Sequence, residues 1–313
     1  MQAHTDDLTS FFNLIDSLSA LIAELNVRQE NARKKGLELY NLGSFKASEP
    51  YLTIAASAGD RPAQYALAEV LRRRQGSITE EAKKWYRLAA AQEDVYALLR
   101  LGDSESLDKV RELLPPRIEQ GDGEAMLQMY ELTKDITWLK KSARTRFPEA
   151  MYILALQYDR DRSLVPEGDN ATDVIDLWLE RAAHVNFPLA MNWYTNRQKV
   201  TTFPSLRREW LEKTAALNDL YAVLKYGFAL GHGDSGRDPE YGYVKSYSFS
   251  YALVWLVVNS APEYQLHNSA VLFLDYLGKA MSPEEISLAL KVAQTWKDSH
   301  PPLSEHRLTF HGV

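Results

Sequence analysis

The sequence predicts an all-α fold, a right-handed α-solenoid of stacked αα-hairpins behind an N-terminal capping helix. Three observations carry that prediction: an offset that recurs six times, the turn residues inside it, and an apolar seam of heptad spacing ahead of it.

The offset runs from an aromatic or Leu to an Ala twelve residues later: Tyr51 to Ala63, Trp85 to Ala97, Leu113 to Ala125, Trp138 to Ala150, Trp178 to Ala190 and Trp210 to Ala222. Each stretch reads as the end of one helix, a turn and the start of the next. Trp178, Leu179, Ala182 and Ala183 fall on one face at helical period, the face that packs inward. Gly59-Asp60, Gly121-Asp122 and Asn218-Asp219 supply the turn, because Gly or Asn suits a left-handed helix end and Asp caps the next helix. Pro62, Pro148 and Pro188 sit in the first turn of the second helix, where a missing N–H leaves no bond unmade. Alanines near the crossing let two helices approach closely. Starts are 34, 28, 25, 40 and 32 residues apart, so the array is degenerate. The longest gap houses a polar loop over 159–170, and Pro115-Pro116 predict a bend or interruption.

Ahead of the repeats, Leu8, Phe11, Ile15, Leu18, Ile22 and Leu25 form a three-heptad seam within a helix over 5–35. Two readings compete: a cap packed on the first hairpin, or a face for self-association. At the other end Ser282, Pro283 and Glu285 form a capping box that opens a final helix. His300-Pro301-Pro302 ends it, leaving a loosely held tail over 299–313. The chain is thus read as one elongated domain, residues 1–313, with repeats over 36–298.

Composition narrows function by exclusion. Thirty-six Lys and Arg against 42 Asp and Glu give a net charge of −6, which disfavours nucleic acid as the main partner. No apolar run approaches the roughly 20 residues of a membrane span, so a soluble protein is expected. The absence of cysteine excludes disulfides, thiol nucleophiles and thiolate metal sites. The first residues lack a basic stretch and Asp16 and Glu24 break the apolar one, so no signal peptide is read; periplasm and cytoplasm both stay open.

No phosphate-binding, dinucleotide, nucleophile-elbow or zinc-protease motif occurs. Seven histidines are scattered, so neither a metal nor a cofactor is expected. The loop from Gly231 to Asp238 brings His232, Asp234 and Ser235 together, but a Gly-rich loop orients none of them, and it reads as a hairpin connection or a partner contact. The candidate protein-binding residues are therefore charges beside the repeat starts, Arg87, Lys140, Lys141, Glu180, Arg181, Glu212 and Lys213, which line a groove if that face is concave. The alternative is a solvated face. Tyr241 and Tyr243, in a Tyr-rich stretch, are a second candidate, for contact or for core.

Gly59-Asp60 with Ala63, the paired Ala55-Ala56 and Ala182-Ala183, the Gly-rich loop before Ser250–Leu256, and Ser282–Trp296 resemble the Sel-like repeat, a relative of the tetratricopeptide repeat, over 36–298. The spacing and the copy at Leu113 depart from the family pattern. The resemblance implies a non-enzymatic bacterial protein-interaction solenoid. Within that class it implies an immunity protein that sterically neutralises a secreted toxic effector, such as a type VI phospholipase D. The competing readings are a multi-partner scaffold or adaptor in envelope assembly or signalling, and a hydrolase.

Overall fold

The computed structural model describes residues 2–232 and 238–305, with side chains from residue 18 onward. The described residues form seventeen α-helices and one short 3₁₀ turn, with no strand; a single parallel bridge joins Asp219 and Ser304. The contacts gather into two compact units, residues 1–40 with 45–94, and residues 41–44 with 95–313. In each, a helix packs chiefly on its neighbours in sequence, the arrangement of an α-solenoid of stacked hairpins.

The repeat offset is explained by its turn. Eight residues after each start the backbone is left-handed: φ is +93° at Gly59, +59° at Glu93, +82° at Gly121, +67° at Arg146, +59° at Asn186 and +55° at Asn218. The next N–H then reaches back to close the preceding helix, Asp60 to the Ala55 carbonyl at 3.1 Å, Asp122 to Arg117 at 3.1 Å and Phe187 to Ala182 at 3.2 Å. Four residues past the left-handed one comes the Ala, where Asp60, Asp122 and Asp219 accept the N–H of Ala63, Ala125 and Ala222 at 2.8, 3.1 and 3.0 Å. Phe147 and Phe187 cannot cap in this way, and each is followed by a Pro that removes one N–H needing a partner. All six repeat alanines are 0% exposed, so there is no room for a longer side chain at the crossing.

The first unit holds α1 (Gln2–Asn41), α2 (Phe45–Ser57), α3 (Arg61–Gln75) and α4 (Glu80–Ala90). The C-terminal part of α1 acts as the cap: Ala32, Gly36 and Tyr40 are buried, and a Cβ on Gly36 would come within 2.9 Å of Leu52 Cδ2. Leu18, Ile22 and Leu25 of the seam are exposed, whereas the side chains of Leu8, Phe11 and Ile15 lie outside the described residues. Under α3 the Glu69 side chain, fully buried, takes Arg72 Nη2 at 2.6 Å and the Tyr86 hydroxyl at 2.7 Å.

The second unit runs from α5 (Val95–Leu101) and α6 (Ser104–Glu119) through α7 (Gly123–Thr133), α8 (Ile136–Arg144), α9 (Pro148–Arg160), α10 (Ala171–His184), α11 (Pro188–Thr195), α12 (Gln198–Thr201) and α13 (Pro204–Ala216). It ends with α14 (Leu220–Gly231), α15 (Tyr247–Ser260), α16 (His267–Lys279) and α17 (Pro283–Ser299). The interruption expected at Pro115-Pro116 does not occur: α6 continues through both. Each Pro is exposed, as are Arg111 and Glu112, whose carbonyls lose their helical donors but face water. Neighbouring hairpins interlock where a serine reaches a glycine carbonyl, Ser142 Oγ to Gly123 at 2.5 Å and Ser250 Oγ to Gly227 at 2.6 Å. A Cβ on Gly123 would lie 2.8 Å from Phe147 Cβ, and one on Gly227 would lie 2.8 Å from Val254 Cγ2, so both positions need glycine for close approach.

The chain after α17 is held more firmly than a loose tail, as far as residue 305. Ser304 N–H donates to the Asn218 carbonyl at 3.1 Å and its carbonyl accepts from Leu220 N–H at 3.0 Å. The Asn218 side chain donates to the Pro301 carbonyl and accepts from Trp296 Nε1 at 2.8 Å. Residues 306–313 lie outside the described part. Among the described residues no helix is long and apolar enough to cross a membrane.

Candidate functional site

The second helices of successive hairpins in the second unit line a groove of about 370 Å³. Tyr130 comes from α7, Tyr152 and Ile153 from α9, and Phe187 from the cap of α11, so residues about 20 to 35 positions apart along the chain meet only because the hairpins stack. The Tyr152 ring packs against Phe187 at 5.5 Å and edge-on to Trp193 at 6.0 Å, which fixes its orientation. Burial pushes the hydroxyls of Tyr130 and Tyr152 above the usual tyrosine range, so both remain neutral hydrogen-bonding groups at physiological pH.

The polar lining is predominantly acidic: Glu131, Glu149, Asp219 and Glu305 against Lys134 and Arg160. Lys134 reaches Glu131 Oε2 at 2.5 Å and lies 5.7 Å from the Tyr130 ring centroid. Asp219 is tied down as the cap of α14, accepting from Asn192 Nδ2 at 3.0 Å as well as from Ala222. Glu305 is brought to the groove by the pinned segment after α17. Burial, and then the nearby Asp219 carboxylate, raise the Glu305 carboxyl above the usual carboxylate range. Aromatic walls beside excess carboxylate suit a cationic side chain, which gains both a ring face and an ion pair. No group of three or more His, Asp or Glu among the described residues is arranged to hold a metal ion.

None of the nine residues singled out from the sequence lines this groove. The charges lie on first helices and engage local partners. Arg87 is 3.9 Å from Glu80, and Lys140 donates to the Leu164 carbonyl at 3.3 Å. Glu180 accepts from Lys199 at 2.8 Å, a bond that holds its carboxyl below the usual range. Lys213 pairs with Glu209 at 2.6 Å. Three repeat tryptophans carry a cation three residues on, Lys141 over Trp138 at 4.1 Å, Arg181 over Trp178 at 4.9 Å and Lys213 over Trp210 at 5.0 Å. Glu212 is exposed and its charge raises the Tyr243 hydroxyl further, after burial. Tyr241 and Tyr243 are 2% and 6% exposed, and their rings pack in the core of the second unit.

His232, at the end of α14, stacks on Phe273 at 4.5 Å, and its Nδ1 lies 2.8 Å from the Phe228 carbonyl. Asp234 and Ser235 lie outside the described residues. A signal for the groove does exist in the sequence: Tyr130 and Tyr152 both fall on second helices, as do Glu131 and Glu149. It becomes visible when second helices are aligned with each other rather than read outward from the repeat starts.

No protein-family model matches the chain, and no curated protein matches it. Among solved structures the chain is similar to a protective antigen of uropathogenic Escherichia coli that displays an SLR fold. The TM-score is 0.48 and the identity 17%, over 91% of this chain and 63% of that one, so the chain spans less than two thirds of that protein's length. It is also similar to a Sel1 repeat protein from Oxalobacter formigenes, with a TM-score of 0.46 and 19% identity over 89% of this chain and 90% of that one.

Proposed function

We propose that this protein is a non-enzymatic binding solenoid whose groove on the second helices takes a basic segment of a protein partner. The observation that carries this reading is the pairing of the Tyr130, Tyr152 and Phe187 rings with Glu131, Glu149, Asp219 and Glu305 in one concavity. An arginine or lysine from a partner would lie across the tyrosine faces with its charge toward the carboxylates. The partner proposed from the Sel-like resemblance is a secreted toxic effector of the type VI, phospholipase D class, neutralised sterically when the solenoid covers its working surface.

The test is titration of the purified protein into such an effector, reading phospholipase activity and calorimetric affinity at low and moderate salt. Inhibition at a fixed ratio, weakened by salt and weakened about tenfold or more by Tyr152→Ala, is expected, since a ring at the centre of an interface commonly contributes 1–2 kcal/mol or more. Binding untouched by Tyr152→Ala and by Glu149→Gln would remove the groove from the account. Binding to several unrelated proteins without inhibiting any enzyme would point to a scaffold instead.

A further inference from the structure

The helix α1 is 40 residues long, and among its residues described with side chains, from 18 onward, the first buried one is Ala32. Before that, Leu18, Leu21, Ile22 and Leu25 are 49%, 52%, 57% and 45% exposed on one side of it. A helical segment with no tertiary support is marginal in water, and an apolar stripe along it adds a surface that needs covering.

The pattern of the stripe names its occupant. In heptad terms Leu8, Ile15 and Ile22 take the first core position, and Phe11, Leu18 and Leu25 the second. Isoleucine at the first with leucine at the second favours two parallel strands. The flanking positions 12, 14, 19, 21 and 26 are Phe, Leu, Ser, Leu and Asn, so two copies laid side by side meet no like charges there. The four half-exposed residues alone present roughly 350 Å² per chain and roughly 700 Å² per pair, a part of the about 1,200–2,000 Å² that a stable interface buries. In the sequence the heptad positions and their neighbours continue ahead of these four with Leu8, Phe11, Phe12, Leu14 and Ile15.

We propose that the N-terminal half of α1 pairs with the same segment of a second copy of this chain, as a parallel two-stranded coiled coil over residues 8–25. The test is the mass of the full chain in solution by light scattering or sedimentation equilibrium at tens of micromolar. The expected value is twice the chain mass of 35.6 kDa, falling to the chain mass in the double variant L18E/I22E. Both residues are half-exposed, so the thermal unfolding of the repeat helices should be unchanged. Because the chain has no cysteine, Ile22→Cys places a single thiol at a core position, and mild oxidation should close a disulfide-linked dimer. A wild-type chain that stays at monomer mass, or that is monomeric and instead sediments with lipid vesicles, overturns the proposal. So does a dimer that survives L18E/I22E. A dimeric mass with no cross-link at position 22 overturns the parallel register.

Discussion

Arginine at position 146 occupies a backbone conformation that suits glycine, and exchanging it tests whether the left-handed turn sets the repeat. Its φ of +67° places the Cβ against the local carbonyl, a clash worth about 1–2 kcal/mol for a residue other than Gly, Asn or Asp. The side chain is exposed, so Arg146→Gly removes little packing. Glycine also widens the unfolded ensemble, which takes back about 0.4–1 kcal/mol. The net expectation is stabilisation by about 0.5–1 kcal/mol. The converse change isolates the same quantity: Gly121 has φ +82° and no other part of the chain near where a Cβ would stand, so Gly121→Ala should destabilise by about 1 kcal/mol through the local backbone clash alone. Both positions lie in the second unit, so one urea titration followed by circular dichroism reads both. The midpoints should move in opposite directions at constant slope. If Arg146→Gly were neutral or destabilising while Gly121→Ala had no effect, the turn would not be what fixes the twelve-residue offset.

Three further outcomes follow from the packing and the charges. Ala150→Leu forces a larger side chain into a fully buried helix crossing and should destabilise the second unit by about 1–3 kcal/mol in the same titration; a neutral result would mean that the crossing has room to spare. Arg72→Met leaves the Glu69 carboxylate buried without its closest cation, and a loss of about 3 kcal/mol is expected in the unfolding of the first unit, against a near-zero change if water reaches Glu69. Burial and Asp219 raise the Glu305 carboxyl, so the stability it contributes is present below the ordinary carboxylate pKa and lost as pH rises through the raised value. Glu305→Gln should therefore flatten that part of the stability profile and leave the variant the more stable form above it; identical wild-type and variant profiles would rule this out.

The helices, their pairing and the capping box at Ser282 were legible because each rests on residues close in sequence. The left-handed turn was legible at Gly59, Gly121 and Asn218, where the residue type announces it. It was hidden at Glu93 and Arg146, where the surrounding repeat imposes a conformation the side chain does not favour. Pro115-Pro116 misled because the rule against proline in a helix presumes that the freed carbonyls are buried, and these face water. The groove escaped because its members are spread from Tyr130 to Glu305, and only the stacking of hairpins and the pinned segment at Ser304 bring them together. Tyr241 and Tyr243 were open between surface and core because tyrosine serves both, and only packing decides.

The closing turn of each of the six repeat hairpins combines backbone hydrogen bonds with one left-handed residue and, behind it, an alanine that leaves no room for a longer side chain. The charged side chains on the first helices pair along their own helix or with a connecting segment, apart from the closing turn. That division of labour leaves the outer faces free to change charge and shape without shifting the hairpins against one another, and lets connections of very different length be tolerated between them. A lineage pressed to follow a changing partner could therefore rewrite its surface while the array itself stood still.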